Sequence, residues 1–276
     1  MNGKTVAIVG SATGIGRAAA RKWASQGANV ALFDNSADGL KAVVDQISAN
    51  SNVTVSHKVG DVGNLKDLQE FQKEVFTKHP DGVDILFLNA GIQFASKADD
   101  ADAIAKLMSI NFMGMVNGVT AFLNSLKGQK KPAHIVLTGS KQGITNPPGN
   151  FGYNASKAAL KSYAEGLSFS LDTNEDTKHL KAHLLVPGWT FTALSGNRDD
   201  DQTSKPAGAW SADQVVDVLD DGLSANQFYI LCPDNEVTVE LDKKRMQWNV
   251  DDIIKDRPAL TRWRPDYKDE VAKYFG

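Results

Sequence analysis

Ser140, Tyr153 and Lys157 carry side chains suited to moving a proton on and off an alcohol oxygen. When a secondary alcohol is oxidised, its hydroxyl proton leaves as hydride departs from the carbon, so a general base must sit within hydrogen-bond reach of that oxygen. A free tyrosine phenol, with a pKa near 10, is a poor base at neutral pH, and a nearby cation favours its phenolate. Tyr153 and Lys157 are four apart on a predicted helix, one turn along the same face, which supplies such a cation. Ser140 ends the preceding strand pattern, where its hydroxyl can hold the substrate oxygen and stabilise charge developing on it. A Tyr-x-x-x-Lys pair alone is common by chance, and its weight comes from the pattern in front of it.

That pattern is Gly10-Ser11-Ala12-Thr13-Gly14-Ile15-Gly16, between a strand and a helix. Glycines so spaced let the backbone turn tightly and approach a pyrophosphate, which then meets free N–H groups at a helix N-terminus. Gly10, Thr13, Gly14, Ile15 and Gly16 are accordingly candidate cofactor residues. Asp34 follows the second strand, where a carboxylate can accept from the two adenosine ribose hydroxyls. It would repel a 2′-phosphate by roughly 4 kcal/mol at about 4 Å and an effective dielectric near 20, before screening. Ala12, Thr13, Asn35 and Ser36 offer no cation to offset this, so NAD is expected over NADP.

Other chemistries fit less well. Gly139-Ser140-Lys141-Gln142-Gly143 lacks the glycine two residues before serine that marks a nucleophile elbow. His57, His79, His134, His179 and His183 show no metal-ligand spacing, so no metal is expected. The single cysteine, Cys232, excludes an internal disulfide framework and reads as an inert strand-end residue.

Positioning these side chains calls for alternating strands and helices. Apolar, β-branched runs at Thr5 to Val9, Asn29 to Phe33, Val53 to Lys58, Ile85 to Leu88, His134 to Leu137, Lys181 to Val186 and Phe228 to Leu231 read as strands. Helical period covers Gly14 to Gln26, Asn64 to Lys78, Ala101 to Leu126 and Tyr153 to Leu171. Parallel strands buried on both faces read as continuous apolar runs, as Val-Ala-Ile-Val and Ile-Leu-Phe-Leu do. The expectation is an α/β fold: one doubly wound (Rossmann) parallel sheet of about seven strands, in a single domain. Residues 1–231 would form the catalytic domain. Residues 232–276, with a helical pattern from Glu236 to Ile254 and breakers at Pro258 and Pro265, would be an extension packed on it or on a partner subunit. Thr190 to Ala209 is polar, includes Asn197-Arg198-Asp199-Asp200-Asp201, and reads as a loop that orders over bound ligand.

A formal charge of -3 over 276 residues, with Lys and Arg scattered, leaves no nucleic-acid footprint. No apolar run is long enough to span a membrane and the N-terminus runs directly into a strand pattern, so a cytoplasmic protein is expected.

Taken with Asn89-Ala90-Gly91, Tyr153-Asn154-Ala155-Ser156-Lys157 and Pro187-Gly188, the glycine loop and Ser140 resemble the single-domain short-chain dehydrogenases/reductases over about residues 4 to 231. The resemblance implies that Asp61 and Val62 flank the adenine and that Asn89, Ala90 and Gly91 line the cofactor cleft. It further implies that Pro187, Gly188, Thr190 and Thr192 border the cofactor, with Thr192 at the nicotinamide carboxamide, and that Tyr153 and Lys157 also touch it. Asn111 would anchor a water chain carrying the proton from Lys157 to solvent. Val9 departs from the family, which commonly has threonine there to steady the loop.

Gln93, Gln142, Asn150, Trp189 and Phe191, with Phe94 and Phe151, fall on loops at the carboxyl ends of strands and are candidate substrate residues for a mid-sized, partly hydrophobic alcohol or ketone. Small residues Ala155, Ala158, Ala159 and Gly166 allow close helix approach, and the resemblance implies a homodimer or homotetramer through this helix and the one before it. Two rival readings are weighed: an NADPH-dependent carbonyl reductase, which Asp34 opposes, and a non-catalytic dinucleotide-binding sensor or interaction protein, which has no need of Ser140, Tyr153 and Lys157 together.

Overall fold

A computed structural model describes residues 1–196 and 202–276, so the Asn197 to Asp201 run lies outside the described residues. The strands are β1 (Thr5–Val9), β2 (Asn29–Asp34), β3 (Val55–Val59), β4 (Ile85–Leu88), β5 (Ala133–Thr138), β6 (Leu180–Val186) and β7 (Tyr229–Leu231). They form one seven-stranded sheet in the order β3-β2-β1-β4-β5-β6-β7, parallel at every pairing. Each central strand sends alternate residues to opposite cores. Val6, Ile8, Val30, Leu32, Ile85 and Phe87 enter one, while Ala7, Val9, Ala31, Phe33, Leu86 and Leu88 enter the other.

The first core is covered by α1 (Gly14–Ser25), α2 (Ala37–Asn50) and a later helix over Ala212–Ser224. Leu40, Val43 and Ile47 are the buried stripe of α2, and the Ser36 side chain caps it by accepting from the Gly39 N–H at 3.2 Å. On the other face lie α3 (Leu65–Lys78) and a run in which α4 (Ala101–Met108) passes through a π turn at Ser109–Met113 into α5 (Gly114–Gln129). The single helix expected from Ala101 to Leu126 is thus interrupted: the π turn inserts a residue, shifts the register, and puts Asn111 inside the fold. The short α6 (Gln142–Thr145) then leads to α7 (Phe151–Thr173), which packs beneath the sheet with Leu160, Ala164 and Leu171. Ala212–Ser224, now α8, begins with a box in which Ser211 and Gln214 each accept from the other's backbone N–H.

After β7 the chain forms α9 (Val239–Ile254) and α10 (Lys268–Phe275). Trp248, 4% exposed, pins this extension internally: its Nε1 donates to Thr261 Oγ1 at 2.8 Å, and the Tyr274 and Phe275 rings pack on it. Asn249 Nδ2 donates to the Ile144 carbonyl at 3.1 Å, which ties α9 to α6 of the same chain. Among the described residues no helix is long and apolar enough to cross a membrane, and no group of His, Cys, Asp and Glu could hold a metal ion.

Candidate active site

Strand order reverses between β1 and β4, and there the carboxyl ends of the strands open a crevice. A cleft of about 1000 Å³ lies along it. Its floor is one hydrogen-bonded relay. Asn89 Nδ2 donates to the Gly10 carbonyl at 3.0 Å, Thr138 Oγ1 donates to Asn89 Oδ1 at 3.0 Å, and Lys157 Nζ donates to the Thr138 carbonyl at 2.7 Å. The ends of β1, β4 and β5 are thereby locked to α7.

At one end of the cleft are Gly10, Thr13, Gly14, Ile15, Asp34, Asp61 and Val62. Gly16 is not in the lining, but it is what lets the loop close: a Cβ there would fall on the Gly10 carbonyl oxygen. The loop is steadied without a threonine at Val9, because Ser11 Oγ donates to the Phe33 carbonyl at 3.3 Å and the Ala12 N–H donates to Asp34 Oδ2 at 2.9 Å. Asp34 Oδ1 also accepts from the Ser36 N–H at 3.1 Å, so the carboxylate is held in place with lone pairs left facing the cleft. Asn35 and Gly60 are its uncharged neighbours in the lining.

Ala90, Gly91, Gln93 and Phe94 after β4, and Pro187, Gly188, Trp189, Thr190 and Thr192 after β6, make the side walls. Thr192 lies against Gly14, so the loop after β6 rests on the glycine loop. At the far end Ser140, Gln142, Tyr153 and Lys157 share the cleft. A hydrogen bond to Ser140 draws the Tyr153 phenol pKa down, but burial outweighs it and the pKa stands raised. Lys157, 3% exposed, is lowered by burial to about 8, and its Nζ sits 5.8 Å from the Tyr153 ring centroid. The ammonium is itself desolvated and donates a hydrogen bond to the Thr138 carbonyl.

Four other expected residues stand outside the cleft lining. Asn111 is fully buried: Oδ1 accepts from the Ile92 N–H at 2.8 Å, and Nδ2 donates to the Ile92 carbonyl at 3.0 Å and to Ser156 Oγ at 3.1 Å. It clamps the loop after β4 to the helix that carries Lys157. Asn150 precedes α7 and accepts from Ser96 Oγ at 3.3 Å, while Phe191 belongs to a backbone bridge, donating its N–H to the Trp210 carbonyl at 2.8 Å. Phe151 is 54% exposed outside the cleft. Thr138, Lys106, Ile110 and Lys141 are lining residues that the sequence reading passed over. Thr138 was reachable, since it ends the strand just before Ser140.

A family model described as short chain dehydrogenase matches residues 4–203. An uncharacterized oxidoreductase of Listeria monocytogenes is 30% identical over 204 residues, covering 73% of this chain and 80% of its own. The 1-deoxy-11-beta-hydroxypentalenate dehydrogenase of Streptomyces avermitilis is 27% identical over 233 residues, covering 82% and 83%. Among solved structures, a short chain dehydrogenase/reductase from Burkholderia phymatum in complex with NAD superposes with a TM-score of 0.81 at 27% identity, over 94% of this chain and 97% of that one. With the doubly wound sheet and its crevice, these likenesses establish that the chain is an oxidoreductase belonging to the short-chain dehydrogenase/reductase family.

Proposed function

We propose that the protein is an NAD-dependent dehydrogenase that transfers hydride between a secondary alcohol, or its ketone, and nicotinamide, with Tyr153 as general base or acid. The observation that carries this reading is the relay from Gly10 through Asn89 and Thr138 to Lys157, which makes the glycine loop and the Ser140–Tyr153 pair parts of one cleft. The residues fit a dinucleotide. Gly16 permits a loop that a side chain would block, and Asp34 offers an anchored carboxylate for ribose hydroxyls with, among the described residues, no lysine or arginine beside it in the lining.

Gly10, Thr13, Gly14 and Ile15 would hold the pyrophosphate, Asp61 and Val62 the adenine, and Thr190 and Thr192 with Pro187 and Gly188 the nicotinamide half. When bound, the dinucleotide supplies the hydride acceptor or donor. Ser140 Oγ holds the substrate oxygen, and Tyr153 takes its proton in oxidation or returns one in reduction. Because burial keeps Tyr153 protonated at neutral pH, ketone reduction has its acid ready, whereas alcohol oxidation needs the deprotonated phenol and should accelerate as pH rises. Lys157 holds the Thr138 carbonyl and stands ready for a cofactor ribose. Gln93, Gln142 and Trp189 would face the substrate.

We further infer that residues 1–231 form the catalytic unit with residues 232–276 packed on it, in line with the Asn249–Ile144 bond. A homodimer or homotetramer through α5 and α7 is in keeping with exposed Ala155 and Gly166 on α7. A panel of secondary alcohols and ketones, followed by NADH absorbance with NADP in parallel, tests the reading. NAD should be favoured by about tenfold or more, and Asp34→Ser should narrow that gap. Preference for NADP, or no turnover of any alcohol or ketone, would sink it.

A further inference from the structure

The wall on the substrate side of the cleft is held from behind by the C-terminal extension. Asp234 follows β7, and its side chain is 8% exposed. Its Oδ2 accepts from Lys141 Nζ at 3.4 Å and from the Trp189 N–H at 3.3 Å, and its Oδ1 accepts from the Glu236 N–H at 3.1 Å. Lys141 is the residue after Ser140, and Trp189 belongs to the opposing wall, so one carboxylate joins the serine turn to that wall. The junction has no spare room: a Cβ on Gly188 would lie 2.6 Å from Asp234 Oδ2 and 2.8 Å from Lys141 Nζ.

The rest of the junction is equally enclosed. The Lys141 ammonium meets a second carboxylate, Asp242 of α9, at 2.5 Å, with side chains 11% and 1% exposed. A cation enclosed in this way is costly to leave short of a partner. Asn235 meanwhile holds the far foot of the loop after β6. Its N–H donates to the Gly208 carbonyl at 3.1 Å, its Nδ2 donates to the Ala207 carbonyl at 2.6 Å, and its Oδ1 accepts from Trp210 Nε1 at 3.0 Å. Trp210 in turn donates its N–H to the Trp189 carbonyl at 2.9 Å. Both feet of the loop thus stand on consecutive residues of the extension.

We propose that Asp234 is a positioning residue for the substrate: by holding Lys141 and the Trp189 backbone together, it sets the spacing between Ser140 and the opposing wall. The extension is in this sense part of the active site. This rests on the reading of Ser140 and Tyr153 given above. Asp234→Ala, made in the full chain, removes both contacts, whereas Asp234→Asn loses the charge but keeps an oxygen that can accept from the Trp189 N–H and the Lys141 ammonium.

With the best alcohol of the panel, Asp234→Ala should raise KM about tenfold while kcat stays within about threefold and NAD affinity is unchanged; Asp234→Asn should return KM to within about threefold of the parent. Amide hydrogen exchange should quicken at residues 188–191 in Asp234→Ala and stay as in the parent across the glycine loop. If that variant does not fold, Lys141→Met should produce the same local exchange. Parent-like KM and exchange would overturn the proposal, as would an even loss of KM, kcat, NAD affinity and protection along the whole chain. An asparagine variant no better than alanine would overturn the bridge to Trp189. A parent inactive across the panel counts against the reaction instead, and exchange at 188–191 still decides whether Asp234 holds the wall.

Discussion

At the start of β5, His134 Nδ1 lies 2.8 Å from His183 Nε2, and His183 Nδ1 donates to the Gln227 carbonyl at 2.7 Å. At its end, the Thr138 carbonyl accepts from Lys157 Nζ beside the Tyr153 phenol. Both clusters are buried and titratable, yet their situations differ. Burial lowers His183 to about 4, with the neighbouring His134 and Lys181 adding to the effect, and lowers Lys157 to about 8. In both cases the unfolded chain binds more protons between the lowered and the ordinary value. Stability therefore rises with pH from 4 to 6.5 for the histidine and from 8 to 10.5 for the lysine. At neutral pH the histidine is mostly uncharged in both states and costs little, whereas the lysine bears its full desolvation cost. Of these two clusters, the one that keeps a desolvated charge at neutral pH is the one at the strand end that opens on the cleft, which is where a ligand can relieve it.

The contrast is broken most forcefully at Tyr153. Tyr153→Phe should cut turnover by about 10²- to 10⁴-fold while NAD binding and the acid unfolding profile stay as in the parent. Retained turnover would remove the functional half of the comparison. Lys157→Met should lower turnover too, and at pH 7 it should stabilise the apoprotein by on the order of 2 kcal/mol, the relieved ionisation cost less the lost Thr138 bond. Urea unfolding at pH 7 and again above pH 10.5 checks this, because the gain must shrink at the higher pH. A gain that persisted there would show that the ammonium was never strained.

The smallest effect belongs to the other end of the strand. His183→Phe should cost about 1 to 3 kcal/mol at pH 7 by orphaning the Gln227 carbonyl, and leave kcat/KM within about twofold. It should also flatten the fall in stability that the parent shows as pH drops from 6.5 towards 4. Acid titrations of both proteins by circular dichroism would show it, and parallel curves would contradict the assignment.

Much of this was readable from residue order. The strand runs and the spacing of Gly10, Gly14 and Gly16 depend on local backbone geometry, so β1, β4 and the glycine loop are found where their residues call for them. Helix α2 escaped notice because Gly39 and the adjacent Val43 and Val44 blur a stripe that only Leu40, Val43 and Ile47 carry. Helix α8 announced itself through Ser211 and Gln214, a signal that went unused. The π turn was invisible, since one inserted residue leaves hydrophobic period almost unchanged. Lys141 was the larger omission. Its meaning comes from Asp234 and Asp242, which are distant in the chain and join it only once the extension folds back. The depth at which Tyr153 is buried was likewise out of reach, because burial is a property of the packed cleft and not of a four-residue spacing.

Transfer of isotope tests the central claim most directly. With NAD and a secondary alcohol deuterated at its carbinol carbon, the parent enzyme should place the deuterium in NADH, and Tyr153→Phe should transfer almost none. Deuterium released to water, or equal transfer by the phenylalanine variant, would contradict hydride transfer governed by Tyr153.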